Sequence, residues 1–294
     1  MPAPFPGEIA TPQERTAVIT GGTSGIGLEC ARALARLGWR LAIVGHDHVR
    51  GAAAVASLNA AAPEAKVAFY CADLADIREV ERLAAKLLAD LPRIDVLVNN
   101  AGSFFLTRQV SPQGLERTFA LNHMAYFVLA ERLRDRLVAS APARIVNVAS
   151  EAHRGARIDF DDLQSERRYG GWRAYQRSKL CNILHAKELA RRLAETGVSV
   201  YSLHPGFVAS RFGDDIPGLP GLAWRVAKRL RGISAVEGAA TMIHLATSAS
   251  PGGASGAYFE ASRPVPPDPA ADDAASARRL WEVSDRIATR TVDG

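Results

Sequence analysis

Tyr175 and Lys179 stand four residues apart in an amphipathic segment, so they share one face of a helix. A phenol with a pKa of about 10 is a poor proton donor or acceptor near neutrality. A neighbouring ammonium favours the phenolate and is expected to lower that pKa into a useful range. By itself Tyr-x-x-x-Lys is common, and a surface pair is its plain alternative. Ser150 closes the apolar run Arg144–Ala149. A hydroxyl there can hydrogen-bond a substrate oxygen and stabilise developing charge, or simply cap a loop. Asn122 is a polar residue inside an apolar helical run; it reads either as a satisfied core amide or as part of the same site. Far upstream lies Thr20-Gly21-Gly22-Thr23-Ser24-Gly25-Ile26-Gly27. Glycines let a backbone turn tightly beside a pyrophosphate, and a helix beginning at Gly25 would point free N–H groups at the anion.

These residues need a scaffold, and the hydrophobic pattern supplies one. Short apolar runs at Thr16–Thr20, Arg40–Val44, Val67–Tyr70, Asp95–Val98, Arg144–Ala149, Val198–Leu203 and Ala257–Phe259 read as strands buried on both faces. Between them, Gly25–Leu37, His48–Leu58, Ile77–Leu91, Gln113–Ser140, Trp172–Thr196 and Ala235–Ala246 read as helices. Repeated β-α-β alternation predicts an α/β fold: a Rossmann-type doubly wound parallel sheet of about seven strands with helices on both faces, in a single domain. The expected divisions are a flexible arm over 1–15, the α/β domain over 16–260, and a connector with a final helix over 261–294. The connector, Ala261–Ala271, is proline-rich, and the final helix, Ala274–Ala288, is expected to dock through Leu280, Trp281 and Ile287. Two long segments, 151–171 and 206–232, interrupt the rhythm and are expected to act as substrate loops or a lid.

Composition narrows the function classes. Of the 294 residues, 48% are hydrophobic, enough for a large core. Neither a secretory signal nor an apolar run long enough to span a bilayer is seen. Three scattered cysteines, Cys30, Cys71 and Cys181, offer no metal spacing or disulfide framework, and His153, His185, His204 and His244 form no ligand pattern. Free thiols in a reducing, cytoplasmic compartment are expected, with no metal and no stable membrane insertion. The net charge of +5 is dispersed, and its densest patch, Lys228–Arg231, lacks interleaved aromatics, so no nucleic-acid partner is expected.

Taken as a set and in order, these segments resemble the short-chain dehydrogenase/reductase family. The matching residues are Thr20–Gly27, Asp73-Leu74, Asn99-Asn100-Ala101-Gly102, Asn122, Ser150, Tyr175-x-x-x-Lys179 and Pro205-Gly206-Phe207-Val208. The resemblance implies an NAD(P)-dependent oxidoreductase acting on a carbonyl/alcohol pair. It implies Tyr175 as general acid or base, Lys179 as its partner and ribose ligand, Ser150 orienting the carbonyl, and Asn122 supporting a proton relay. It places Gly21, Thr23, Ser24, Gly25, Ile26 and Gly27 on the phosphates, Asp73 and Leu74 near the adenine, Asn99, Ala101 and Gly102 along the cofactor cleft, and Pro205, Gly206 and Val208 beside the nicotinamide. A narrower likeness to the retinol-dehydrogenase-like branch rests on Asn147–His153, on the long gap between Ser150 and Tyr175, on Ser178–Leu184, on Ser202–Gly206 and on Leu280-Trp281-Glu282.

Gly45 stands where the family's NAD users carry an acidic residue that repels a 2′-phosphate, and His46 follows it. NADP(H) is therefore favoured, with His46 and Arg50 near the phosphate. Asp47 argues the other way, and NAD(H) stays open. Phe104, Phe105, Leu106, Phe207, Phe212, Ile216, Leu219, Leu222 and Trp224 suggest a hydrophobic carbonyl or alcohol substrate, or packing of a lid or subunit contact. The family likeness also raises homo-oligomerisation through the long helices. Alternatives on the same scaffold are a cofactor-sensing regulatory protein and a non-redox epimerase or dehydratase.

Overall fold

The computed structural model describes residues 14–208 and 232–293. Eight strands form one sheet: β1 (Thr16–Thr20), β2 (Arg40–Gly45), β3 (Val67–Cys71), β4 (Val96–Asn99), β5 (Ala143–Val148), β6 (Val198–His204), β7 (Tyr258–Glu260) and β8 (Arg263–Pro264). Their spatial order is β3-β2-β1-β4-β5-β6-β7-β8. Pairing is parallel throughout except for the β7–β8 hairpin. All five residues of β1 are buried, as are the four of β4, in keeping with their continuous apolar sequence.

Helices cover both faces. α1 (Gly25–Arg36), α2 (His48–Ala61) and α8 (Ala235–Thr247) pack Cys30, Leu34, Leu58 and Met242 against one face. α3 (Ile77–Asp90), α5 (Ala125–Arg132), α7 (Gly171–Arg192) and α9 (Ala274–Asp293) pack Val80, Phe127, Ile183 and Trp281 against the other. After β3 the chain crosses to the far side of β1, so strand order reverses between β1 and β4. That reversal, at the carboxyl ends of the strands, is the usual ligand position in a doubly wound sheet. The glycine turn after β1 and the Asn99–Gly102 turn after β4 flank it.

Several sequence expectations are corrected. The connector contains an eighth strand, because Val265 N–H reaches Tyr258 O and the two-residue β8 pairs with the edge. The helix expected over Gln113–Ser140 starts later and is broken. Gly114 turns at φ +75°, and Glu116 then caps α4 (Arg117–Phe119) by accepting from Thr118 N–H and Phe119 N–H. A π-helical turn, Ala120–Met124, leads into α5, and α6 (Arg134–Ala139) follows after Leu133. Glu14 and Arg15, expected in a flexible arm, are tied down. Glu14 pairs with Arg40 and Lys66, and Arg15 lies over the Trp39 ring. The rest of that arm, and the loop residues Phe212, Ile216, Leu219, Leu222, Trp224 and Lys228–Arg231, lie outside the described residues.

The final helix docks through Leu280 and Trp281, with Ile287 packed at the margin. Trp281 stacks on His185 of α7, with centroids 5.8 Å apart, and Arg192 covers its other side at 4.2 Å. Ser284 hydrogen-bonds His123 at 2.8 Å. Part of the α7 surface suggested as an oligomer contact is thus covered by the chain's own α9. No helix among the described residues is long and apolar enough to cross a membrane.

Candidate active site

The glycine turn is built by close approach. A Cβ on Gly27 would stand 2.3 Å from Gly21 O, and one on Gly21, whose φ is +65°, would meet Asn100 Nδ2 at 2.8 Å. Asn100 holds the turn: its Nδ2 donates to Thr20 O at 2.8 Å and to Gly21 O at 3.3 Å. Thr20 Oγ1 returns the tie by accepting from Asn100 N–H and Ala101 N–H at 2.8 and 3.0 Å. Helices α2, α3 and α8 have side-chain caps from Asp47, Asp76 and Ser234, whereas Ser24 makes no such bond at the start of α1. The α1 N-terminus therefore keeps its positive end and N–H groups for an anion. A close-packed glycine cradle opening on an uncapped helix fits a dinucleotide pyrophosphate.

The partners fall in place differently along this cleft. Ile26 reaches α8: a Cβ on Gly238 would meet Ile26 Cγ2 at 2.8 Å, Val208 Cγ2 at 2.6 Å and Pro205 O at 3.4 Å. The segment Pro205–Val208 is thereby brought against the glycine-turn helix. Gly206 has φ +86° and Val208 pairs with Ile233, which joins the two edges of the 209–231 segment. Asp73 is half-exposed at the cleft's outer end; its Oδ1 accepts from Ala75 N–H and its carboxylate faces Arg117 at 3.5 Å. Leu74 is buried in the core. Asn99 corrects the expectation that its side chain lines the cleft. It is fully buried and donates to Asn147 Oδ1 at 3.0 Å, across to its register partner on β5. Asn100, one residue on, faces the turn instead. The sequence pointed to the Asn-Asn-Ala-Gly segment but not to which asparagine does this.

At the other end of the cleft, β5 delivers Ser150 and α7 delivers Tyr175 and Lys179. The Ser150 side chain stands beside the Tyr175 phenol, near enough to draw its pKa down. Lys179 Nζ donates to Val148 O at 3.0 Å and lies 5.6 Å from the Tyr175 ring centroid. Asn182 Nδ2 donates to the same carbonyl at 3.1 Å, a second anchor one turn along α7 that the sequence reading missed. Asn122 sits on the π-helical turn. Its Oδ1 accepts from Ser103 N–H at 2.9 Å, while its Nδ2 donates to Ser103 O and Ser178 Oγ at 3.0 and 2.9 Å. A Cβ on Gly102 would stand 3.2 Å from Asn122 Oδ1 and 3.3 Å from Lys179 Nζ, so both groups converge on one small space. Such π-turns often mark functional sites.

The electrostatics reverse one expectation. Burial pushes the Tyr175 phenol up to about 12, with the nearby Ser150 side chain pulling the other way. Burial pushes the Lys179 amine down to about 7. Both side chains are nearly inaccessible, 8% and 3% exposed, so desolvation outweighs the mutual attraction that was expected to acidify the phenol.

Around Tyr175 the walls are aromatic. Phe104 meets Tyr175 and Trp172 edge-on at 6.2 and 6.3 Å, and Trp172 lies 5.7 Å from Tyr175. The 151–171 segment, expected as a lid, is anchored: Tyr169 donates to Phe105 O at 2.7 Å, Gln164 Oε1 accepts from Glu116 N–H at 2.7 Å, and Arg108 reaches Gln164 O at 3.1 Å. Trp172, Leu106 and Phe207 remain exposed at this edge of the sheet.

A family model described as short chain dehydrogenase matches residues 15–217. This chain belongs to the short-chain dehydrogenase/reductase family. It is similar to human retinol dehydrogenase 12, 38% identical over 92% of this chain and 85% of that protein. Human retinol dehydrogenase 13 is 35% identical over 95% of this chain and 86% of that one. These likenesses place the chain in the retinol-dehydrogenase-like branch. Among solved structures, an uncharacterized protein from Mycobacterium Paratuberculosis superposes with a TM-score of 0.75 at 30% identity, covering 94% of this chain and 93% of that one. The Pseudomonas aeruginosa RhlG/NADP active-site complex gives 0.66 at 28% identity, over 86% and 94%. The chain is accordingly an NAD(P)-dependent oxidoreductase of CH–OH/C=O groups.

Proposed function

We propose that this dehydrogenase/reductase interconverts a hydrophobic aldehyde or ketone and its alcohol, with Tyr175 as the proton donor in reduction and acceptor in oxidation. The observation that carries this reading is the grouping of Ser150, Tyr175 and Lys179 at the carboxyl end of β5. The nicotinamide dinucleotide, when bound, supplies or accepts the hydride. Its pyrophosphate would be held by the turn from Gly21 to Gly27, and its ribose by Tyr175 and Lys179. Ser150 orients the substrate oxygen towards the phenol. In reduction the phenol's proton goes to the substrate oxygen, and the Lys179 ammonium, with a pKa of about 7, returns a proton to the phenolate; Asn122 keeps the neighbouring Ser103 and Ser178 in register. The aromatic wall of Phe104 and Trp172 supports an apolar substrate, as do exposed Leu106 and Phe207.

NADP(H) is the favoured cofactor. Gly45 carries no side chain that would repel a 2′-phosphate, and a Cβ there would stand 2.8 Å from Thr23 Cγ2, which supports this reading. The Asp47 carboxylate, the counter-argument in the sequence, is engaged by Arg50 through N–H at 2.9 Å and Nε at 3.1 Å. Arg50 also reaches His46 at 3.1 Å, placing two nitrogen-rich side chains at the end of β2. Three unpaired thiols agree with a reducing, cytoplasmic setting. The test is steady-state kinetics on aldehydes and ketones with both cofactors. The expected result is higher kcat/KM with NADPH, and loss of roughly a thousandfold or more of kcat in Tyr175→Phe with NADPH binding retained. A clear NADH preference overturns the cofactor assignment; an active Tyr175→Phe overturns the acid/base assignment.

A further inference from the structure

Ser150 is held from behind by a residue the reaction does not use. The chain turns at Glu151–His153, a single 3₁₀ turn in which Ser150 Oγ accepts from Ala152 N–H at 3.2 Å. His153, at the end of the turn, is fully buried. Its Nδ1 lies 2.6 Å from Ser150 O and its Nε2 lies 3.0 Å from Asp268 N. Chemistry fixes the protonation. A backbone N–H only donates, so Nε2 accepts; a carbonyl only accepts, so Nδ1 carries the hydrogen. The imidazole is therefore neutral and directional, running from the C-terminal segment to the serine.

That segment is itself pinned. Asp268 Oδ2 accepts from Gly155 N–H at 2.9 Å and Oδ1 accepts from Ala270 N–H at 2.9 Å. Tyr258 of β7 packs edge-on to the imidazole at 5.1 Å. The ring has one orientation open to it, and the Ser150 carbonyl receives two donors, the imidazole and the His153 N–H at 3.1 Å.

We propose that His153 is a positioning residue for the reaction: its Nδ1–H fixes the Ser150 peptide, and through it the hydroxyl that meets Tyr175, while Asp268 fixes the imidazole. This rests on the active-site reading given above. A residue that only filled space would not need both nitrogens in bonds to two segments more than a hundred residues apart, with one bond on the peptide of the serine. Ser150 must hold the substrate oxygen within bonding reach of the phenol, and small displacements there are expensive in rate.

Two near-isosteres separate the two bonds. Asparagine places an amide donor near the Nδ1 position, and glutamine places an amide oxygen near the Nε2 position. His153→Asn therefore keeps the Ser150 link and loses the Asp268 link; His153→Gln does the reverse. Both full-length variants are assayed with NADPH and a panel of straight-chain and aromatic aldehydes, alongside NADPH Kd and thermal midpoint. Expected is a kcat loss of roughly ten- to a hundredfold in His153→Gln at unchanged NADPH Kd, with a clearly smaller loss in His153→Asn despite a comparable fall in midpoint. Ser150→Ala/His153→Gln should be no slower than Ser150→Ala, since the imidazole acts through that serine. Equal kcat losses in the two variants that follow their midpoints, or a fully active His153→Gln beside a slow Ser150→Ala, overturn the proposal. A fully active Ser150→Ala instead defeats the active-site reading beneath it.

Discussion

Two turns leave the carboxyl edge of the same sheet and are built on opposite plans. The glycine turn after β1 is made rigid by the absence of side chains: Gly27 lies against Gly21 O, and Asn100 fastens the turn from the adjoining strand. The serine turn after β5 is made rigid by added side chains, with His153 clasping Ser150 and Asp268 arriving from beyond β8. One must admit a phosphate to bare backbone, so anything protruding is a fault. The other must aim a hydroxyl, so its peptide needs holding from several directions. The binding turn is tied by one side chain from the neighbouring strand's end, while the catalytic turn is tied by a side chain of its own and by a segment from beyond β8.

The contrast can be broken most forcefully at Gly27. Valine there would drive its Cβ into Gly21 O, at 2.3 Å before relaxation. The expected cost is about 2–3 kcal/mol of cofactor affinity, roughly a hundredfold in Kd for NADPH, measurable by fluorescence titration. A variant that bound NADPH normally would show that the turn tolerates side chains after all. Asn100→Ala should act in the same direction but less, about 1–2 kcal/mol, because two carbonyl acceptors lose their donor while the backbone path stays open.

The smallest effect sharpens the catalytic side. The Lys179 amine titrates near 7 in the folded chain against an ordinary 10.5. Between those values the unfolded chain binds the extra proton, so this amine raises stability with pH, and the rise should show from about 7 to about 9. Above that, the sign reverses, since the buried thiols of Cys30 and Cys181, and then the Tyr175 phenol, all held at about 12, keep protons that the unfolded groups release. Denaturant midpoints from about pH 7 to about pH 9 should climb in the parent and flatten in Lys179→Met. Equal slopes would mean that the amine is not desolvated as its burial implies.

What could be read in the sequence follows the same division. The glycine turn, the Tyr175–Lys179 spacing and the alternation of strands and helices are local patterns, and the doubly wound sheet followed from them. Asn100 was inside a noted segment, but nothing in its neighbours says that it, and not Asn99, faces the turn; strand phase decides that. The helix expected over Gln113–Ser140 breaks because Gly114 and the Glu116 cap start it late and the π-turn at Asn122 resets its phase. Periodicity cannot register a single inserted residue per turn. His153 showed no ligand pattern in the sequence because its partners lie at a backbone carbonyl and a distant backbone amide, neither of which leaves a mark in residue type. The acidified phenol failed for a related reason: spacing reports proximity, and burial has to be seen.

The docking of α9 on α7 has a consequence for how activity is acquired. A nascent chain stopped before Ala274 would have its Tyr175 and Lys179 already made, yet His185 and Phe127 would lack the Trp281 ring that covers them. The helix that bears the chemistry is finished only by residues translated some ninety positions after it, so ribosome-bound intermediates should be protease-sensitive and competent turnover should arrive late, in one step.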